Sequence, residues 1–257
     1  MSDAYFIWHE NGWVPLWGTF GMMMYDMMKW LALGSGTLAW VIGIRKYRLP
    51  LWQVLLSIVL IGVVGTITTK LVHYTFWDFD RFPSVYKMII SPKAGHSVHG
   101  SVLGFMLSAI LLSRWLRIPL AQVADRLSWW VPLGLMLVRI GNFWNSEVVG
   151  TRTSVPWAVG FFELRDKGSI PRHPVQLYES AFCLLLLVVM IVLVRRGTAK
   201  RPWVLSSTVL IGYFAARFLF DFIKVTDPLW EGGFLSTGQV LSVPFFVLGV
   251  YLAVKKK

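Results

Sequence analysis

Apolar residues gather into seven long stretches, near 18–44, 51–72, 95–113, 127–144, 175–194, 203–223 and 237–254. A helix needs about 20 residues to cross the hydrocarbon of a bilayer, and each stretch is near that length. The second and fourth are interrupted by polar residues. No repeat, heptad run or low-complexity tract breaks the pattern. The prediction is an all-α integral membrane protein: one seven-helix membrane domain over residues 1–257, with the loop 145–174 as a small extracytoplasmic head.

Composition agrees with this. Of the 257 residues, 56% are hydrophobic and 15% charged, and the mean hydropathy is +0.60. A soluble domain would carry roughly a quarter charged residues, and this chain folded in water would expose a grossly apolar surface. The composition argues equally against disorder. The single cysteine, Cys183, excludes a disulfide framework and a cysteine-ligated metal site. Residues 1–17 contain Asp3 and Glu10 but no Lys or Arg, unlike the basic start of a secretory signal.

The net charge of +12 would suggest nucleic acid in a soluble protein, but its distribution says otherwise. Arg45, Lys46 and Arg48 lie between the first two stretches, and Arg114, Arg117 and Arg126 between the third and fourth. Arg195, Arg196, Lys200 and Arg201 lie between the fifth and sixth, and Lys255, Lys256 and Lys257 end the chain. Asp125 is the one acid among them. On the alternate side, cations and acids nearly balance. The positive-inside rule puts the basic segments in the cytoplasm, which gives an N-terminus outside and a C-terminus inside, with no nucleic-acid partner.

Seven ionisable groups remain inside the stretches: Asp26, Lys29, Lys70, Arg139, Glu179, Arg217 and Asp221. Each costs a few kcal/mol at the bilayer centre unless paired, hydrated or led to the surface. Lys70 is expected to snorkel outward, and Asp26 and Lys29, three apart, to pair on one helix face. Arg217 heads a chain to Asp221 and Lys224 at helical spacing. Arg139 has no acid on its own helix before Glu147, only Asn142 and Asn145, so its charge is expected to stay uncancelled and to await an anion such as a phosphate. By helical rise, Arg139, Arg217, His99 and Glu179 each lie about 8–10 Å below the outer boundary, a shared polar layer. His99, in His96-Ser-Val-His99-Gly100, is a candidate proton acceptor near neutral pH, and Gly100 and Gly104 allow a close approach by a helix or a lipid. The two histidines lack a third ligand, so no metal is predicted. Cys183, among apolar neighbours, is not expected to be a nucleophile.

These segments carry a resemblance. Arg139-Ile-Gly-Asn-Phe-Trp-Asn-Ser-Glu-Val-Val-Gly150 is similar to the R-x-G-N-F-x-N-x-E-x-x-G signature of the prolipoprotein diacylglyceryl transferase family. Val155-Pro-Trp-Ala158, Arg172-His-Pro-Val-Gln-Leu-Tyr-Glu179, His99-Gly100 and Tyr213-Phe-Ala-Ala-Arg217-Phe-Leu-Phe-Asp221 resemble further segments of that family, in the same order. The sequence departs from the pattern at Val138, Ser101, Asp221 and Lys224, at Trp17-Gly18, at Gly65-Thr-Ile67, and in a short head.

The resemblance implies transfer of the diacylglyceryl unit of phosphatidylglycerol to the lipobox cysteine of a prolipoprotein signal peptide, with glycerol phosphate leaving. It implies an inner-membrane enzyme whose site faces the outer leaflet and needs no cofactor. His99, Arg139 and Arg217 would be catalytic. Trp17, Gly100, Asn142, Asn145, Glu147, Gly150, His173, Gln176, Tyr178 and Glu179 would bind substrate. Two other readings stay open at this point: a related phospholipid-dependent transferase with a non-lipoprotein acceptor, and an anion or lipid transporter.

Overall fold

The computed structural model describes residues 6–8, 13–17, 20–77, 79, 84–91, 95–226 and 234–255, with the backbone alone over 13–17 and 20–22. Its helices are α1 (Met24–Ile44), α2 (Leu51–Trp77), α3 (Val85–Ile90), α4 (Val98–Leu116), α5 (Leu120–Ser128), α6 (Val131–Trp144), α7 (Val175–Arg195), α8 (Val204–Phe220) and α9 (Thr237–Val254). Four short strands accompany them: β1 (Phe6–Trp8), β2 (Trp13–Trp17), β3 (Phe20–Met23) and β4 (Val159–Phe161). The first apolar stretch therefore opens as a hairpin, β2 antiparallel to β3, before α1 begins.

Among the described residues, six helices are long and apolar enough to cross a membrane: those starting at Met24, Leu51, Val98, Val175, Val204 and Thr237. The fourth predicted stretch, 127–144, is not one helix. It divides at Trp129–Trp130 into the end of α5 and the 14-residue α6. Proline in the first turn of α6, at Pro132, fits a helix start because its missing N–H has no partner to lose there. At 1.5 Å per residue α6 is about 21 Å long, short of a hydrocarbon core of about 30 Å.

The helices are built inside out, as a bilayer requires. In α2 the buried residues are Ser57, Thr69, Lys70 and Tyr74, while Leu51, Val59 and Val63 are exposed. In α9 the buried set includes Thr237, Gly238, Gln239 and Ser242. Apolar side chains gain nothing by leaving lipid, whereas polar ones must find partners inside the protein.

The contacts sort the chain into two compact units where one domain was expected. One comprises Thr37–Trp129 and Ala199–Ser206. Its core packs Trp40, Ile44, Ala109, Leu112, Ile118, Val123 and Leu127, and the Trp40 indole donates to Ser57 Oγ at 2.8 Å. Here α2 and α4 approach through small residues. A Cβ on Gly100 would stand 2.5 Å from the Thr68 carbonyl oxygen, and one on Gly104 would overlap the Thr68 hydroxyl. Ser101 Oγ donates to Thr69 Oγ1 at 3.0 Å, which in turn donates to the Ser97 carbonyl at 2.6 Å. Ser101, a departure from the family pattern, thus joins the two helices through Thr69. Gly65, which opens the departing Gly65-Thr-Ile67 segment, lies under Gly104 in the same contact. Lys70 does not snorkel: it is buried, and its ammonium donates to the carbonyls of Ile89 at 2.7 Å and Ser91 at 2.9 Å, at the C-terminal end of α3. Asp125 accepts from Ser206 N at 2.8 Å and from the Ser206 hydroxyl. Burial pushes its carboxyl above the usual range, against the pull of those hydrogen bonds.

The other unit comprises Met1–Gly36, Trp130–Thr198 and Ser207–Lys257. Gly141 of α6 meets Tyr25 of α1, where a Cβ would lie 3.0 Å from the ring. Asp26 and Lys29 pair at 2.6 Å as expected, half-exposed. The segment 145–174 is held by β4, parallel to β1, and by bridges between Arg152 and Arg172 and between Gly150 and Lys224. The Trp8 ring rests on Phe143 and Trp144, with centroids 5.1 Å away in each case.

Candidate functional site

Within this second unit, α6, α7 and α8 each bring an ionisable side chain to one place. Arg139 on α6 is 6% exposed and Glu179 on α7 is 4% exposed. Arg139 Nε lies 2.7 Å from Glu179 Oε2, and its Nη1 donates to Asn142 Oδ1 at 3.0 Å. The other oxygen of Glu179 serves the far side of the cluster, with Lys224 Nζ at 2.7 Å and Arg217 Nη1 at 3.6 Å. Asp221 Oδ1 completes it, 3.2 Å from Arg217 Nη1 and 3.1 Å from Lys224 Nζ. Three cations therefore share two carboxylates.

This corrects two expectations. Arg139 is not left without a carboxylate: its partner comes from α7, a contact that only the fold creates. The Arg217–Asp221–Lys224 chain forms at its helical spacing but is not self-contained, because Glu179 enters it. Of the four residues expected to share a layer, Arg139, Glu179 and Arg217 meet in one cluster. His99, in the first turn of α4, is buried at 3% exposure in the other unit.

The signature segment folds back beneath α6. After Asn145, Ser146 and Val148 take φ of 53° and 58°, a conformation that a β-branched residue adopts only at a cost of order 1–3 kcal/mol. The turn returns Glu147 to α6, where its N–H donates to the Asn142 carbonyl at 2.9 Å. Its carboxylate accepts from Asn142 Nδ2 at 3.0 Å and Asn145 Nδ2 at 3.3 Å. Gln176 Nε2 donates to the Glu147 carbonyl at 2.6 Å. Asn142, Asn145, Glu147 and Gln176 thus form the frame that holds Arg139.

Other expected residues do different work. A Cβ on Gly150 would overlap the His173 carbonyl, to which the Gly150 N–H donates at 3.1 Å; this glycine lets the head close on α7. The His173 ring nitrogen Nδ1 lies 3.4 Å from the Tyr178 hydroxyl, which accepts from the Trp157 indole at 2.6 Å. Arg172 pairs with Asp166 at 2.9 Å, within the head. Gly100 meets α2, as described. Trp17 lies in β2, and its side chain falls outside the described residues. Cys183 is buried, at 1% exposure.

Three participants were given no role from the sequence, although Tyr213 begins the Tyr213–Asp221 segment. Tyr213, four residues before Arg217 and so on its face, is buried with its hydroxyl against the Arg139 guanidinium. Ser236 donates to Asp221 Oδ2 at 2.8 Å while capping α9. Gln239 completes that capping box and donates to the Phe218 carbonyl at 3.2 Å. The Ser236-x-x-Gln239 spacing is the readable signal of a helix start; its link to Asp221 has no trace in the sequence.

The site can hold an anion. Its cations exceed its carboxylates, and Arg217 Nε has no hydrogen-bond partner among the described residues. The Arg217 side chain is also the most accessible of the three cations, at 14% against 7% for Arg139 and 1% for Lys224. Spare guanidinium donors at a surplus of positive charge suit a phosphate ester.

Six membrane-length helices define a multi-pass membrane protein, and the buried cationic cluster is its candidate site. Comparison with known proteins makes this specific. Residues 13–255 match the family described as prolipoprotein diacylglyceryl transferase, and the chain belongs to that family. A protein of Idiomarina loihiensis named phosphatidylglycerol–prolipoprotein diacylglyceryl transferase is 33% identical over 251 residues, covering 94% of this chain and 91% of its own. One of Pseudoalteromonas atlantica with the same name is 34% identical over 248 residues, covering 92% and 86%. A third with that name, from Cereibacter sphaeroides, is 38% identical over 186 residues, 64% of each chain.

Proposed function

We propose that this protein is a transferase that moves the diacylglyceryl group of phosphatidylglycerol to a prolipoprotein, onto the thiol of its lipobox cysteine. The observation that carries the reading is the meeting of Arg139 and Arg217, from different helices, on the single carboxylate of Glu179. The names of relatives that match nearly the whole chain support it over transport or another acceptor.

In the reaction, the thiol sulfur attacks the terminal carbon of the diacylglyceryl unit. A carbon–sulfur bond forms as the carbon–oxygen bond to phosphate breaks. Glycerol phosphate leaves with the bond's electrons, and the thiol proton passes to a base. Negative charge grows on the departing phosphate, so donors already aimed at it contribute mainly in the transition state. Arg217 supplies the accessible donors, and Arg139 the fixed charge behind them. Asn142, Asn145 and Glu147 hold Arg139 in place. His99 is the proposed base.

The proposed topology has the N-terminus outside and α6 as a short seventh crossing, in an inner membrane with the site open to the outer leaflet. The basic segments 45–48, 114–126 and 195–201 and the C-terminal lysines support this sidedness.

The test incubates purified protein with phosphatidylglycerol and a lipobox peptide and measures the thioether by mass spectrometry. Wild type should form it, and Arg139→Ala should not, although still inserted in the membrane. Product from Arg139→Ala at the wild-type rate would refute the assignment. For the base, His99→Gln should alter the pH–rate profile; an unchanged profile removes His99 from that role.

A further inference from the structure

We propose that Ser236, at the start of α9, is a positioning residue for the transfer: it orients the Asp221 carboxylate and through it aims the Arg217 guanidinium at the phosphate of the donor. The inference rests on the function proposed above. Ser236, Gln239 and Asp221 are all buried, so the hydrogen bonds among them are little weakened by water.

Arg217 stands in the last turn of α8, and the chain continues at once into a tight turn over Asp221–Ile223. A helix end leaves its last carbonyls without amide partners. Gln239 Nε2 serves one of them, donating to the Phe218 carbonyl at 3.2 Å, while its Oε1 accepts from the Ser236 N–H at 2.8 Å. The Ser236 hydroxyl accepts from the Gln239 N–H at 3.0 Å and gives its one proton to Asp221 Oδ2 at 2.8 Å. Two side chains at the start of α9 thereby grip the end of α8 just beyond Arg217.

The grip reaches the guanidinium through charge. Asp221 Oδ1 lies 3.2 Å from Arg217 Nη1, against 3.6 Å for Glu179 Oε1, so Asp221 is the nearer anion. Ser236 holds the other oxygen of that carboxylate and so sets its direction. The backbone of α9 adds a wall: a Cβ on Gly238 would lie 2.8 Å from Arg217 Nη2 and would overlap Asp221 Oδ2. The partial positive charge of a helix N-terminus disfavours a cation, and Arg217 can approach α9 because the Asp221 carboxylate stands there with it. Without the hydroxyl, Asp221 is free to turn and Arg217 to follow. A donor misplaced by about 1 Å costs up to about 10²-fold in rate. The loss falls on the transition state, where charge on the phosphate has grown, so kcat suffers more than KM.

Two measurements test this. Glycine caps a helix nearly as well as serine, so Ser236→Gly removes the hydrogen bond to Asp221 and keeps α9, while Ser236→Thr keeps both. In transfer from phosphatidylglycerol to a lipobox peptide, Ser236→Gly should lose about tenfold in kcat, with a smaller change in KM and an unfolding temperature close to that of wild type. Ser236→Thr should recover the rate. Asp221→Asn alone and combined with Ser236→Gly should be equally slow, because one residue acts through the other. A wild-type kcat in Ser236→Gly, or losses that multiply in the double variant, would overturn the proposal. The second measurement needs no turnover: phenylglyoxal modifies arginines, and its rate at Arg217 is followed in detergent by mass spectrometry of the peptide. Ser236→Gly should raise that rate several-fold and Ser236→Thr should not; equal rates in all three proteins would also overturn it. Failure of wild type to transfer would overturn the donor assignment, and the modification rates would then decide whether Ser236 holds Arg217.

Discussion

Glu179 holds Arg139 at 2.7 Å through one carboxylate oxygen and, through the other, holds Lys224 at 2.7 Å with Arg217 at 3.6 Å. One acid on α7 thereby fixes the cations of α6 and of the α8 end. Without it, three buried positive charges would share Asp221 alone.

Glu179→Gln should therefore be costly twice over. Removing one partner of a buried ion pair typically destabilises by about 3–5 kcal/mol, because the remaining charge is left uncompensated. Thermal unfolding in detergent should occur at a markedly lower temperature than for wild type. In the fraction that stays folded, transfer should drop at least about tenfold, since the arginines lose their fixed positions.

Arg139→Lys preserves the charge but not the geometry. Arg139 uses Nε for Glu179 and Nη1 for Asn142, a fork that one ammonium cannot reproduce. Shifting the charge that stands behind Arg217 is expected to lower kcat by about 10²-fold, the order for a displacement of about 1 Å, with the protein still folded. Steady-state kinetics with phosphatidylglycerol would check it; a wild-type kcat would show that charge alone suffices.

Gly100→Ala should loosen α2 from α4. The added carbon would stand 2.5 Å from the Thr68 carbonyl oxygen and 2.6 Å from Thr69 Cα, both backbone and unable to turn aside. Overpacking of this kind costs about 1–3 kcal/mol. Gly62, with nothing within 4 Å, is the matched control: Gly62→Ala should leave the unfolding temperature at or slightly above that of wild type.

Asp125 offers a pH prediction outside the membrane-spanning segments. Burial raises its folded pKa above the unfolded value of about 3.9. A group raised in this way favours the folded state below its unfolded pKa, and the contribution disappears as pH rises through the folded value. Asp125→Asn cannot ionise and should remove that dependence. Unfolding temperatures measured from pH 4 to 7 should fall less with rising pH in the variant than in wild type; parallel curves would exclude a titrating Asp125.

The sequence by itself determined the membrane class, the placement of basic segments and the residues that form the cluster. Each is a local property. Apolar length reports solvent, because a helix in lipid needs only enough hydrocarbon side chains, and an intramembrane charge stands out because it is expensive wherever the chain goes. The Arg217, Asp221 and Lys224 spacing was legible for the same reason, since one helical turn fixes it. Only the tertiary structure decided what Arg139 pairs with, because Glu179 lies forty residues further on and reaches it through the packing of α6 on α7. It also divided the fourth apolar stretch into α5 and α6, buried Lys70 against α3, and brought Tyr213 beside Arg139. Those outcomes depend on which faces meet, and a linear pattern of apolar residues in a bilayer carries little information about that when every face is equally at home in lipid.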